Sequence, residues 1–216
     1  MGYNHSGSCQ IANIEELFDK YFRNMPGTFV DVGAHDGYTF SNTYGLADDG
    51  WEGLCFEPIP ELYEKCKALH EHNSVLVLDS CVGNINGLVN LYIGENPSID
   101  LETVELQPWG STYDKEDFMV CKSTRLDTVL EKWMIGKKFD LLSIDVEGAE
   151  LMVLAGFDIC RWLPTMIIVE THEGNPDVRK SFHAAAINVY FEGKPYTKIQ
   201  SDGLNTIWVR KDAVIA

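Results

Sequence analysis

Apolar and polar positions follow two periods along the chain, and each change of period marks an element. Ile11, Ile14, Phe18, Tyr21 and Phe22 recur at helical spacing with charges between them, which predicts an amphipathic helix over 11–23. Residues 1–9 before it read as a loose tail, and Met25-Pro26-Gly27 after it is a break. Short apolar runs that meet an acid then follow: 29–32 with Asp31, 51–57 ending at Glu57, 75–78 running into Asp79-Ser80-Cys81, 139–145 ending at Asp145, and 165–172 ending in Glu170-Thr171-His172. Helical stretches separate them, from Gly37 to about 48–50, from Pro60 through Leu69, around Leu126–Trp133, after Gly148 and from Pro176 onward. Strands alternating with helices predict a parallel sheet covered on both faces.

Two stretches depart from that rhythm. Residues 88–93 alternate like a strand, and 94–119 is a long acidic stretch without a clear period, which reads as a lid or substrate loop or as a surface insertion. The runs 196–200 and 204–209 flank Ser201-Asp202-Gly203, the signal of an antiparallel hairpin. The expected division is an N-terminal tail and helix over 1–27 and a single domain over 28–216.

The first strand runs into Gly33-Ala34-His35-Asp36-Gly37. Gly33 lets the backbone turn close to a ligand, and Gly37 is expected where the next helix begins, with its N–H groups facing that ligand. Glu57, at the tip of the neighbouring strand, is placed to accept hydrogen bonds from ribose hydroxyls. The pair reads as a nucleoside-cofactor site. A dinucleotide would need Gly-x-Gly-x-x-Gly, but His35 stands where the second glycine would be, and Asp31 and Asp36 would repel a pyrophosphate. A cationic cofactor such as S-adenosyl-L-methionine suits this loop better. The plainer alternative is a strand-to-helix turn with no ligand.

Charge narrows the partners. The 216-residue chain carries a net charge of −16 and no Lys/Arg cluster, so a nucleic-acid phosphate backbone is not the expected partner. With 45% hydrophobic and 23% charged residues the composition is that of an ordinary globular chain. Cys9, Cys55, Cys66, Cys81, Cys121 and Cys160 include no Cys-x-x-Cys pair and read as scattered reduced thiols, not as a zinc site or disulfide framework. No 18-residue apolar stretch and no signal peptide are present, which points to a free cytoplasmic chain, although Met1-Gly2 to Ser6 fits the loose myristoylation pattern. His70 and His72 do not share a helix face and are expected to be solvated.

The runs DVGAHDG, FEPIPELY, TRLDTVL and above all FDLLSIDVEGAELMVLAGF resemble the FkbM family of S-adenosylmethionine-dependent methyltransferases, over about 28–172 and more weakly within 94–119. The resemblance implies a Rossmann-like class I methyltransferase fold: α/β, doubly wound, with a mostly parallel seven-stranded sheet closed by a C-terminal antiparallel hairpin. It implies a cofactor cradle of Asp31, Gly33, His35 and Gly37, with His35 where the family more often has Asn. Glu57 would take the ribose, Asp79, Ser80 and Cys81 would lie by the adenine, and Asp145 would close the floor near the methyl group. S-adenosyl-L-homocysteine would be the product, and the acceptor a hydroxyl on a sugar or other small molecule.

An alcohol needs help to lose its proton near neutral pH. Asp145 and Glu147 at one strand tip and Glu170 and His172 at the next are the catalytic candidates, with His172 the natural base. Its alternative is a surface histidine in a local hydrogen bond. Glu150, in the first turn of a helix, reads as structural. Asp145, Glu170 and His172 would be the ligands of a divalent metal, a reading the spacing does not favour. Trp109 and Tyr113 would suit a sugar or flat acceptor. No membrane and no nucleic acid are expected as partners, and a homo-oligomer is left open. The alternatives are a nicotinamide-dependent oxidoreductase and a non-catalytic protein on a methyltransferase scaffold.

Overall fold

The computed structural model describes residues 9–23, 25–92, 118–133 and 138–213. Helix α1 (Ile14–Phe22) places Ile14, Phe18 and Phe22 on one buried stripe and ends at Arg23, whose left-handed backbone returns its N–H to the Asp19 carbonyl. Strand β1 (Thr28–Val32) is buried throughout. After it come α2 (Tyr44–Asp48), β2 (Glu52–Phe56), α3 (Pro60–Leu69), β3 (Val75–Leu78), β4 (Cys81–Val82), β5 (Gly87–Tyr92) and β6 (Phe118–Thr124). The second half holds α4 (Leu126–Trp133), β7 (Leu141–Ile144), α5 (Glu150–Ala155), α6 (Ile159–Trp162), β8 (Met166–Glu170), α7 (Val178–Phe191), β9 (Tyr196–Ser201) and β10 (Asn205–Arg210).

Seven strands form one sheet in the order β3-β2-β1-β7-β8-β10-β9, and β10 runs antiparallel to both β8 and β9. This is the expected mostly parallel sheet with its terminal hairpin. Alternation along the central strands sends side chains to two separate cores. Val30, Val32, Leu54 and Phe56 pack with α4, α5, α6 and α7 on one face. Phe29, Cys55, Leu141 and Ile168 pack with α1, α2 and α3 on the other. Helix α1 is thus part of the domain core, through Ile14 and Phe18, which are fully buried.

A smaller sheet, β4-β6-β5, was not expected from the sequence. The sequence pattern predicts only the strand at 88–93; β4 is two residues long, and β6 begins inside the aperiodic stretch 94–119. Residues 93–117, and with them Trp109 and Tyr113, lie outside the described residues. The tail reading fails at Cys9, which bridges to Phe40.

Candidate active site

A cavity of about 530 Å³ opens at the carboxyl ends of the central strands, the place where this topology puts a ligand. Its lining contains Asp31, Gly33, Ala34, His35, Glu57, Ser80, Cys81, Asp145 and Glu147. Gly33 has φ +88°, and a Cβ there would stand 1.7 Å from the Asp145 carbonyl oxygen. Only a bare backbone passes between β1 and β7 at that point. The Gly33 and Ala34 N–H groups bond the Phe56 carbonyl at 3.1 and 3.0 Å, which ties the loop to β2.

Glu57 is buried, and each carboxylate oxygen takes a backbone donor: Oε2 from His35 N–H at 2.9 Å and Oε1 from Ile59 N–H at 2.8 Å. Burial pushes its pKa up to about 7 against the pull of those two donors. Asp31, also buried, accepts the Thr43 hydroxyl at 2.6 Å, and burial lifts it to about 7. Opposite the acids lies an apolar wall of Ile59, Leu62, Leu91 and Met119, partly built by the small sheet. Cys81 belongs to that wall, its thiol against Cys121 Sγ at 2.7 Å.

The floor is acidic. Asp145 and Glu147 line it, and their carboxylate oxygens lie within 4.8 Å of each other and of Glu170 behind them. Burial, then the nearby Glu150 charge, raises Asp145 to about 6; burial, then Asp145, raises Glu147 to about 7. Glu170 is pushed well above the usual range by burial and by Asp145. Glu147 holds a left-handed backbone, φ 55°, where a non-glycine residue is strained. Glu150 holds this loop in place: its Oε1 accepts Val146 N–H at 3.1 Å and Gly148 N–H at 3.0 Å, and its Oε2 pairs with His183 Nε2 at 2.6 Å.

Several expectations need correction. No helix begins at Gly37; α2 starts at Tyr44. Asp36 captures the intervening donors instead, accepting Tyr38 N–H at 2.9 Å, Thr39 N–H at 2.6 Å and the Thr39 hydroxyl at 2.8 Å. Gly37 is absent from the cavity lining and packs toward Cys66, Leu69 and His70. Asp79 is exposed and outside the lining, because the chain turns after β3 and sends Ser80 and Cys81 inward instead. Glu170 and His172 stand behind the floor and do not line the cavity. His172 Nε2 lies 3.3 Å from Glu170 Oε1, and burial with the Lys180 charge lowers its pKa. His70 is buried, not solvated, whereas His72 is exposed.

Gln10 was missed. Its Nε2 donates to Asp145 Oδ2 at 3.0 Å, and its Oε1 accepts Asn205 Nδ2 at 3.0 Å, so it fixes the central acid to β10. A polar residue at the head of an amphipathic helix carries no sequence mark that would single it out.

The Methyltransferase FkbM domain family matches residues 31–194, well over half of the chain. No curated protein sequence matches. Among solved structures, the bifunctional kinase-methyltransferase WbdD is similar at 15% identity and TM-score 0.48, over 93% of this chain and 40% of its own, so the chain spans about two fifths of that protein. The Podospora anserina methyltransferase PaMTH1, solved with S-adenosylhomocysteine bound, is similar at 11% identity and TM-score 0.49, over 91% of this chain and 76% of its own. Family match and strand order agree: the chain belongs to the FkbM family of S-adenosylmethionine-dependent methyltransferases, with the Rossmann-like class I fold.

Proposed function

We propose that the cavity binds S-adenosylmethionine and that the chain methylates a hydroxyl of a carbohydrate or other small molecule. One observation carries this reading: the bare Gly33 backbone and the ribose-type acid Glu57 share a single cavity with two carboxyls, Asp145 and Glu147, whose pKa values sit near neutrality. The residues present fit the cofactor, with Glu57 able to accept ribose hydroxyls on its remaining lone pairs and the Ile59–Leu91–Met119 wall suited to a flat base. When bound, S-adenosylmethionine supplies an electrophilic methyl group. The protein's part is alignment and proton removal. Glu147, held at about 7, accepts the acceptor hydroxyl's proton; Asp145, oriented by Gln10, stays beside it. Glu170 and His172 form a pair behind the floor that can carry the proton outward. The net charge of −16 favours a neutral or cationic acceptor over a nucleic acid.

Calorimetric titration with S-adenosylhomocysteine tests the reading, followed by a screen of sugars and small alcohols with methyl-labelled cofactor. Glu57→Ala is expected to weaken binding about tenfold to a hundredfold, the loss of hydrogen bonds to a charged group worth about 1.5–3 kcal/mol. Glu57→Gln, which keeps part of the hydrogen bonding, lies between. Wild-type protein that binds no S-adenosylhomocysteine would overturn the assignment of the cavity.

A further inference from the structure

Below the Gly37 turn and outside the cavity lining, the fold gathers three side chains that the sequence scatters. Cys55 comes from β2, Cys66 from the last turn of α3, and His70 from the cap just beyond that helix, one turn on from Cys66. Their ligand atoms lie within 4.8 Å of one another, and all three residues are buried. The absence of a Cys-x-x-Cys pair hid this set, but positions four apart on a helix share a face, and β2 packs against that face. A Cβ at Gly37 would stand 3.0 Å from Cys66 Sγ and 3.3 Å from His70 Nε2, so Nε2 is the ring nitrogen beside the thiol.

The other ring nitrogen is already engaged. His70 Nδ1 lies 2.9 Å from the Asn73 amide nitrogen, while Asn73 Oδ1 is buried with no partner. In either orientation the Asn73 amide hydrogen-bonds Nδ1 and holds the ring with Nε2 beside the thiol. A ring held from its far side by an outer hydrogen bond is the usual arrangement of a metal-binding histidine.

We propose that Cys55, Cys66 and His70 bind a thiophilic divalent ion, Zn²⁺ foremost, which braces the cofactor turn against α3. Three N/S ligands with one position left over suit Zn²⁺, and soft sulfur ligands disfavour Mg²⁺ and Ca²⁺. On binding, the two S–H bonds break, two metal–sulfur bonds form and two protons leave to solvent; nothing is oxidised or reduced. This site is independent of the proposed methyl acceptor.

The test is titration of the reduced, chelator-treated chain with Co²⁺. One equivalent is expected to give a thiolate-to-cobalt charge-transfer absorption that one equivalent of Zn²⁺ abolishes. Cys66→Ser and His70→Ala are expected to weaken cobalt binding at least tenfold, and Cys160→Ser, at an exposed thiol, to leave it unchanged. Lack of the absorption in wild type, or its survival in a folded Cys66→Ser, would overturn the proposal. Should the variants not fold, thiol alkylation of wild type decides: Zn²⁺ is expected to protect Cys55 and Cys66 but not Cys160, and equal labelling with and without Zn²⁺ refutes the site. Titration with S-adenosylhomocysteine, read separately, keeps this outcome apart from that of the cofactor site.

Discussion

At the scale of single residues, the proposed chemistry rests most on Glu147. It lines the cavity, hangs on a left-handed backbone and shares its surroundings with two other acids. Neighbouring negative charge and burial both oppose its ionisation, which brings a carboxyl to the range where a base works at neutral pH. Methyl transfer by the wild type is therefore expected to rise with pH through about 7, as the carboxyl loses its proton. Glu147→Gln should lower kcat by about 10²–10⁴-fold and remove that limb of the profile, while S-adenosylhomocysteine affinity changes little. A variant with an unaltered pH profile would transfer the role to another group, His172 foremost. Gly33 shows the opposite kind of constraint, since its contribution is the absence of a side chain beside the Asp145 carbonyl.

At the scale of elements, strand and helix identities were largely legible, because buried parallel strands are continuous apolar runs and amphipathic helices have a period of their own. The misreadings lie where a side chain replaces backbone structure. Asp36 closes a turn that the Gly33–Gly37 spacing assigns to a helix start, while β4 is only two residues long and β6 begins within the acidic stretch that precedes it. His70 was judged against His72, two positions away, when its informative neighbour was Cys66, four away. The TRLDTVL run, which the family resemblance brought forward, turns out to serve packing. Asp127 of α4 accepts Trp162 Nε1–H and Asp158 N–H, both at 2.9 Å, and so fastens α6 to α4. Asp127→Ala would strand two donors, one of them a buried indole, and is expected to cost about 1–3 kcal/mol of stability in denaturant unfolding without changing cofactor affinity.

At the scale of the whole molecule, the gathered acids set how stability responds to pH. Asp31, Glu57 and Glu147 are raised to about 7 and Asp145 to about 6, against an ordinary carboxylate value of about 4. Between those limits the folded chain binds more protons than the unfolded one, so this contribution is complete below about 4 and is lost as pH rises toward 7. His172 and the Cys66 thiol, both lowered in the fold, act oppositely, and Asp36, lowered to about 2, changes its contribution only at more acidic pH. The ligand-free protein should melt several degrees higher at pH 6 than at pH 8, at about 2–4 °C per kcal/mol for a chain of this size, and S-adenosylmethionine should narrow the gap by favouring the ionised carboxylates. A melting temperature that climbs from pH 6 to pH 8 would contradict the burial of these acids. The Gln10 link gives the same acids a history. Asn205 holds Gln10 across 195 positions, and Gln10 in turn holds Asp145. During synthesis, residues 10 and 145 leave the ribosome well before residue 205, so the central acid of the cavity is set only after the last strand has been made and inserted beside β8. A nascent chain stalled before β10 would therefore carry every residue of the cofactor loop and still hold an unfinished floor.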